Sequence, residues 1–169
     1  MAQLIQYLLI LVVYIFLGCA GLMLAHVPSV SVIWPASGFA VAASYCVRQC
    51  WPVLFLGAFI VNTIHGTACV TNLAIAIGNT LEYVVAAFLL HNLSGFDIGL
   101  LRARDVCQFL IFGAAIPAMI AARIGTFALM WQGVLPAELV PRAWYEYWQG
   151  DALGILLLTP PLIIWQHRR

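Results

Sequence analysis

Long apolar runs that are almost free of charged side chains constrain this chain more than any other feature of its sequence. The first run covers residues 4–25, and five more follow within the 169 residues, of which only 8% are charged. A soluble domain carries about a quarter charged residues. A single helix needs about 20 apolar residues to cross the roughly 30 Å hydrocarbon core of a membrane. The sequence therefore excludes a soluble globular domain and predicts an integral membrane protein.

The runs predict an all-α, polytopic transmembrane helical bundle of about six spans, because a helix satisfies its backbone hydrogen bonds internally. The predicted spans are residues 4–25, 32–47, 51–64, 68–90, 106–131 and 144–165. The first run follows no Lys or Arg and is longer than a signal-peptide core, so it predicts a span and not a leader. No internal repeat is visible, and residues 1–169 are predicted to form a single integral-membrane domain.

The distribution of arginine predicts that both termini are cytoplasmic. An even number of spans puts both termini on one side, and loops on the cytoplasmic side are enriched in Arg and Lys. The arginines that would then be cytoplasmic are Arg48, Arg102, Arg104, Arg168 and Arg169. The opposite side holds only Arg142, which supports this orientation.

Three ionisable residues fall inside the predicted spans, namely Glu82, Arg123 and Asp151. A charge at the bilayer centre costs about 2.5–3.5 kcal/mol on insertion scales, so each one needs a physical explanation. At a rise of about 1.5 Å per residue, Arg123 and Asp151 reach one depth in the outer third of the membrane. This predicts an ion pair between them. The alternative is an anionic ligand that displaces Asp151 from Arg123.

A polar face is predicted on the fourth span, where Asn72, Asn79 and Glu82 are spaced by seven and three residues. Asn62 on the third span lies near the midplane, with His65 one turn above it. Together they predict a polar interior that opens to the outside. Two interpretations stay open, one being ligand or proton binding and the other hydrogen bonding between helices at about 0.6 kcal/mol per bond.

Two rims of a pocket are predicted around this interior. Trp34 to Gly38 begin the second span, where Ser37 and Gly38 allow a close approach to a neighbour or ligand, although helix packing explains them equally well. The sixth span places an aromatic cluster that includes Trp148 above Asp151. The candidate ligand-binding residues are Trp34, Ser37, Asn62, Asn79, Glu82, Arg123, Trp148 and Asp151.

Neither a metal site nor a catalytic site is predicted. His65 and Cys69 are four residues apart, as are Cys46 and Cys50, but neither pair supplies a complete metal site. A membrane-buried cysteine protease would use Cys69 with His65 or Arg123, and the sequence gives no motif that brings them together. We predict that the chain is not an enzyme, and the sequence leaves any cofactor unknown. A net charge of +1 also excludes a basic surface for nucleic acid.

Five short motifs follow one another on successive predicted spans, between Trp34 and Pro160. They are Trp34-Pro35-Ala36-Ser37-Gly38; Trp51-Pro52 with Gly57-Ala58-Phe59 and Asn62; Gly78-Asn79-Thr80-Leu81-Glu82; Arg104-Asp105-Val106 with Gly113-Ala114; and Trp144 and Trp148 with Gly150-Asp151-Ala152-Leu153-Gly154 and Pro160. In this order they resemble the bacterial membrane-associated sensor domains of the first type, abbreviated MASE.

The resemblance implies a multi-pass sensory input domain of the bacterial cytoplasmic (inner) membrane. Such domains detect a small ligand or membrane signal and are normally fused to cytoplasmic histidine-kinase, diguanylate-cyclase or cyclic-di-GMP phosphodiesterase modules. Other members of the family continue through further spans, whereas this sequence ends at Arg169 after six. A fragment, a free-standing half and a domain with a separate output protein are therefore all open.

A different class of function is also open, because polar residues come from several predicted spans. The chain is alternatively a small-solute binding or transport subunit of the membrane. It lacks the inverted repeat of many transporters, so this function would need a partner protein or a homo-oligomer. The partners expected for either class are the lipid bilayer and, for the sensor, a cytoplasmic signalling output.

Overall fold

The chain folds into long helices. A computed structural model describes residues 1–23, 25–27, 30–31, 33–47, 49–64, 66 and 68–167. The helices are α1 (Ala2–Met23), α2 (Pro35–Cys46), α3 (Trp51–Ile64), α4 (Cys69–Asn92), α5 (Ala103–Gln108), α6 (Ile116–Trp131) and α7 (Val140–His167). A π-helical segment, Phe109–Ala115, joins α5 to α6, and a 3₁₀ turn, Ala137–Leu139, precedes α7. The short strands β1 (Ala25–Val27) and β2 (Val30–Ser31) pair antiparallel between α1 and α2. The predicted all-α class is confirmed.

The lengths of the helices bear on how the chain crosses a membrane. Among the described residues, α1, α4 and the continuous stretch Ala103–Trp131 are long and apolar enough to span one. Helices α2 and α3 have 12 and 14 residues, which gives lengths of about 18 and 21 Å. Helix α7 has 28 residues but is less apolar. A membrane domain is therefore supported, whereas six crossings and cytoplasmic termini stay predictions.

Helix α2 occupies the interior of the bundle, in contact with α1, α4 and α7. Small residues such as Ala36 and Ala40 are fully buried, and so is Val41. None of the residues of α2 is exposed, so each face of the helix has a protein neighbour. This explains why so short a helix is stable there: its neighbours supply the packing that its length does not.

A very close contact joins α2 to α7 through two glycines. A Cβ atom on Gly38 would overlap the carbonyl oxygen of Gly154, and a Cβ on Gly154 would overlap the carbonyl oxygen of Trp34. Two hydrogen bonds stabilise the same contact. The Trp34 N–H donates to the Gly150 carbonyl at 2.9 Å, and Thr159 Oγ1 donates to the Gly38 carbonyl at 2.8 Å. Close backbone approach through small residues is the usual packing of membrane helices.

The π-helical segment lies just before Pro117, which has no backbone N–H to continue the regular ladder. A wider turn absorbs this loss, as π-bulges do. The Trp148 indole N–H then donates to the Ala115 carbonyl at 2.9 Å and ties α7 to this segment.

Candidate functional site

Three side chains from three helices meet around the hydroxyl group of Ser37. Ser37 Oγ lies 2.9 Å from Asp151 Oδ1 on α7 and 3.4 Å from Glu82 Oε2 on α4. All three residues are buried, with exposed fractions of 0% for Ser37 and Glu82 and 1% for Asp151. We call Ser37, Glu82 and Asp151 the carboxyl cluster. The hydroxyl has one proton, so it can donate to only one carboxyl group at a time.

The start of α2 positions this cluster. Pro35 begins the helix and fits there because the first turn needs no amide donor from it. Ser37 is in the same first turn, where the glycine contact between α2 and α7 brings it against Asp151. Because the positive end of the helix dipole lies at this turn, a negative charge on Asp151 is favoured there.

Three tyrosines lie around the carboxyl cluster, of which Tyr14 and Tyr83 are fully buried and Tyr147 is half-buried. The Tyr147 hydroxyl on α7 donates to Asn79 Oδ1 at 2.9 Å, and Asn79 lies one turn before Glu82 on α4. The hydroxyls of Tyr14 and Tyr83 are 2.8 Å apart and join α1 to α4. The polar interior is therefore larger than the carboxyl cluster and involves four helices.

Glycines make room for two of these rings. A Cβ on Gly57 would come within 2.7 Å of the Tyr14 ring, and one on Gly125 within 2.6 Å of the Tyr147 ring. Sequence analysis missed Tyr14, Tyr83 and Tyr147 as members of the site. One signal was available for Tyr14, because it lies midway along an apolar span, away from the interfaces where tyrosine is enriched in membrane proteins.

The carboxyl cluster has no basic partner among the residues that the structure describes. Among the described residues, the ion pair is that of Arg142 with Glu146 at 2.8 Å, which lies on the surface of α7 and not in the cluster. The second oxygen of each buried carboxyl group, Glu82 Oε1 and Asp151 Oδ2, has no hydrogen-bond partner within the same residues. Two acids and a single hydroxyl proton therefore share a closed space, and this defines the chemistry of the site.

The predicted ion pair between Arg123 and Asp151 is wrong. Arg123 lies on an exposed face of α6 together with Met119 and Phe127, whereas Asp151 is buried against α2. Depth along the helix axis was the basis of the prediction, but the rotation of α6 leaves Arg123 exposed, in a groove beside Val140 and Trp144 at the start of α7 and not beside Asp151. Arg123 instead lines an apolar groove of about 620 Å³ between the start of α4 and the end of α6.

The other candidate residues lie around the cluster or apart from it. The Trp34 backbone N–H donates to the carbonyl of Gly150, the residue before Asp151. The Trp34 indole Nε1 is buried without a hydrogen-bond partner in the described part of the chain. Asn62 Nδ2 donates to the Ala58 carbonyl of its own helix, α3, at 2.8 Å. Trp148 is held by the π-helical segment and stacks on Trp144, with ring centroids 6.3 Å apart. His65, Arg48, Arg168 and Arg169, which entered the predictions above, lie outside the described residues.

The cysteines give no support to a metal centre. Within the described ranges no group of three or more His, Cys, Asp or Glu side chains is placed to hold a metal ion. Cys50 lies in the turn between α2 and α3, 4.0 Å from Ser44 Oγ, and burial raises the pKa of its thiol. A raised pKa disfavours the thiolate, which is the form that binds metal.

The chain has helices long and apolar enough to cross a membrane, and buried carboxyl groups lie at the point where α2, α4 and α7 meet. This arrangement is that of an integral-membrane domain with a polar interior. The chain belongs to the MASE1 family, whose profile matches residues 5–169. MASE1 is a family of membrane-associated sensor domains, so the resemblance found in the sequence is confirmed and the chain is a sensory membrane domain. The family is a class of input domains and not of catalytic ones. Neither the curated proteins nor the solved structures contain a significant match to the chain.

Proposed function

We propose that the chain detects a small ligand or membrane signal at the carboxyl cluster and passes the response to a cytoplasmic signalling output. In this proposal it is a multi-pass domain of the bacterial inner membrane, with six crossings and both termini in the cytoplasm. The Arg102 and Arg104 loop would then face the cytoplasm, in agreement with the positive-inside rule. The output would be a histidine kinase or a cyclic-di-GMP enzyme, fused to the chain or separate from it.

The observation that carries this proposal is the sharing of one hydroxyl between two helices. Ser37 on α2 reaches both Asp151 on α7 and Glu82 on α4, so any change in the charge or ligation of either acid changes how α2 is held. A signal shifts a conformational equilibrium only by its differential affinity for the two states. A buried acid offers a large difference of this kind, because its interactions are not screened by water.

Helix α7 is the element through which the response would leave the site. It carries Asp151, continues to His167, and forms the glycine contact with α2. Close-packed contacts transmit strain, and α7 stays helical from Asp151 to His167 although Pro160 and Pro161 lie within it. A displacement at Asp151 would therefore reach the end of α7, where an output module or a homo-oligomer contact would respond.

Distance measurements between spin labels test this proposal. Bioorthogonal labels at Asn92 on α4 and Gln166 on α7, both exposed, report the separation of the two helix ends in lipid nanodiscs. Ser37→Ala removes the shared donor and should shift the distance distribution. The matched control is Ser44→Ala, also buried on α2 but remote from the acids. Identical distributions in the wild-type protein and both variants would contradict the proposal.

A solute-binding or transport function is the second candidate, and the start of α2 favours it. Helix α2 is short and directs its first turn at Asp151, as interrupted helices direct their ends at substrate in secondary transporters. The test is uptake of radiolabelled amino acids and small cations by proteoliposomes that contain only this chain. Accumulation that depends on Asp151 would favour transport, and its absence together with movement of α7 would favour the sensor.

A further inference from the structure

The carboxyl cluster contains two acids, and no described neighbour carries a positive charge that would balance them. Glu82 and Asp151 are both closed off from solvent, and Ser37 provides one proton for two carboxyl groups. An isolated buried carboxylate is costly unless it is paired or hydrogen-bonded. Each acid also keeps one oxygen, Glu82 Oε1 or Asp151 Oδ2, without a partner among the described residues. Both acids cannot be ionised together without a compensating cation.

The surroundings of the two acids favour a charge on Asp151. Its Oδ1 atom has the shorter contact to the Ser37 hydroxyl, at 2.9 Å against 3.4 Å for Glu82 Oε2. Asp151, on α7, also packs against the first turn of α2, where the helix dipole favours an anion. Glu82 is therefore the acid that needs neutralising.

The other groups that face the acids are not cations. They are the hydroxyls of Tyr14 on α1, Tyr83 on α4 and Tyr147 on α7. Helix α2 contributes only the Ser37 hydroxyl, and α6 turns Arg123 outward. Within the part of the chain that the structure describes, no cationic side chain compensates the two acids.

We infer that the carboxyl cluster binds one exchangeable monovalent cation, either a proton on Glu82 or Na⁺ between Glu82 and Asp151. This inference rests on the proposed function and names the chemical class of its signal. Mg²⁺ fits less well, because it dehydrates reluctantly and usually keeps several waters, whereas both acids are closed off from solvent. Uptake would leave the cluster with a net charge of −1 in both cases, carried by Asp151 alone when Glu82 is protonated and shared by the two carboxylates around Na⁺ in the other case.

Infrared difference spectroscopy on the full chain in lipid nanodiscs tests the inference. In sodium-free choline buffer, raising the pH should remove the C=O band of a protonated carboxyl group if the cation is a proton. At fixed alkaline pH, adding NaCl but not choline chloride should shift the carboxylate bands if it is Na⁺. Whichever response the wild-type protein gives should be lost in Glu82→Gln and kept in Glu146→Gln, whose carboxylate is in the surface ion pair.

A second measurement keeps the test valid if Glu82→Gln does not fold. The chain has three glutamates, Glu82, Glu138 and Glu146, and Glu82 is the buried one. Isotope-labelled glutamate in the wild-type protein should reveal a protonated glutamate that persists at a pH where the other two are ionised, or a Na⁺-sensitive glutamate carboxylate. A spectrum that responds to neither pH nor Na⁺ in this way would overturn the inference.

The spin-label distances separate this result from the fate of the proposed function. If the spectra show no exchangeable cation while Ser37→Ala still moves α7, the inference fails and the sensor proposal stands. If a cation binds and the α7 distance never changes, the binding site stands and the sensor proposal fails.

Discussion

The crossing of α2 with α7 and the outer face of α6 each carry an ionisable side chain of a predicted span, and they treat it in opposite ways. At the crossing, Asp151 is buried and contacts the Ser37 hydroxyl. On α6, Arg123 is exposed beside an apolar groove. A long arginine side chain can reach toward the membrane interface, whereas a short aspartate needs a polar partner where it stands. The comparison shows that depth in the membrane does not decide whether a charge belongs to the interior.

Substitution at the glycine contact between α2 and α7 should lower the unfolding free energy more than any other change proposed here. Gly38→Ala forces a Cβ atom against the Gly154 carbonyl, and a backbone atom cannot move aside as a side chain can. Because overpacking a tight contact costs about 1–3 kcal/mol and sometimes more, we expect at least about 3 kcal/mol of lost unfolding free energy. Unfolding titrations in mixed detergent micelles measure this loss.

The control for this prediction is the same substitution on α4. Gly78→Ala meets Ile124 Cβ at 3.1 Å, a tight contact that needs a shift of only a few tenths of an ångström, whereas the new Cβ at Gly38 would overlap a carbonyl oxygen. We expect a loss of about 1 kcal/mol or less. Equal losses at Gly38 and Gly78 would mean that the crossing of α2 with α7 has no special role in the fold.

Removal of the Ser37 hydroxyl should cause the next largest loss of unfolding free energy. Ser37→Ala leaves Asp151 Oδ1 without its donor, and a hydrogen bond to a charged group contributes about 1.5–3 kcal/mol. Ser44→Ala removes only a long contact to Cys50 Sγ, so its effect should stay below about 0.6 kcal/mol. The same titrations compare the two variants. A Ser37→Ala protein as stable as the Ser44→Ala protein would argue against a charged partner at Asp151.

The tyrosine hydroxyls should contribute less. Tyr147→Phe keeps the ring that packs on Gly125 and removes only the hydrogen bond to Asn79. Hydrogen bonds between membrane helices contribute about 0.6 kcal/mol on average and up to about 1.7 kcal/mol, and we expect a loss in this range. Tyr145→Phe, on the exposed side of α7, should change the unfolding free energy by almost nothing. The opposite order of the two effects would place the polar interior elsewhere.

The helices could be predicted because each apolar run ends at polar, glycine or proline residues, and the observed ends differ from the predicted ones by only a few residues at most boundaries. The polar face of Asn79 and Glu82 was also visible, because helical spacing places both residues on one side of α4. The glycine of the Trp34–Gly38 motif correctly indicated a close approach to a neighbour. Each of these inferences used information that lies within one helix.

The partner of Asp151 could not be found in the same way, because it depends on how neighbouring helices are rotated. One signal for α6 was nevertheless present in the sequence. Its small residues Ala121, Ala122 and Gly125 form the buried side, and Arg123 falls opposite to them. Small residues mark the packed face of a membrane helix, so they were better evidence for the direction of Arg123 than its depth.

A double-mutant cycle on Arg123 and Asp151 tests the smallest expected effect and the comparison as a whole. Arg123→Gln alone should change the unfolding free energy little, because Arg123 is exposed and has no ion pair with Asp151. Asp151→Asn alone should destabilise the protein, because it alters the partner of Ser37. Effects at independent sites add within about 0.3–0.5 kcal/mol, so we expect a coupling no larger than this. A coupling well above that limit would restore the ion pair predicted from depth, and with it the view that depth alone decides which buried charges meet.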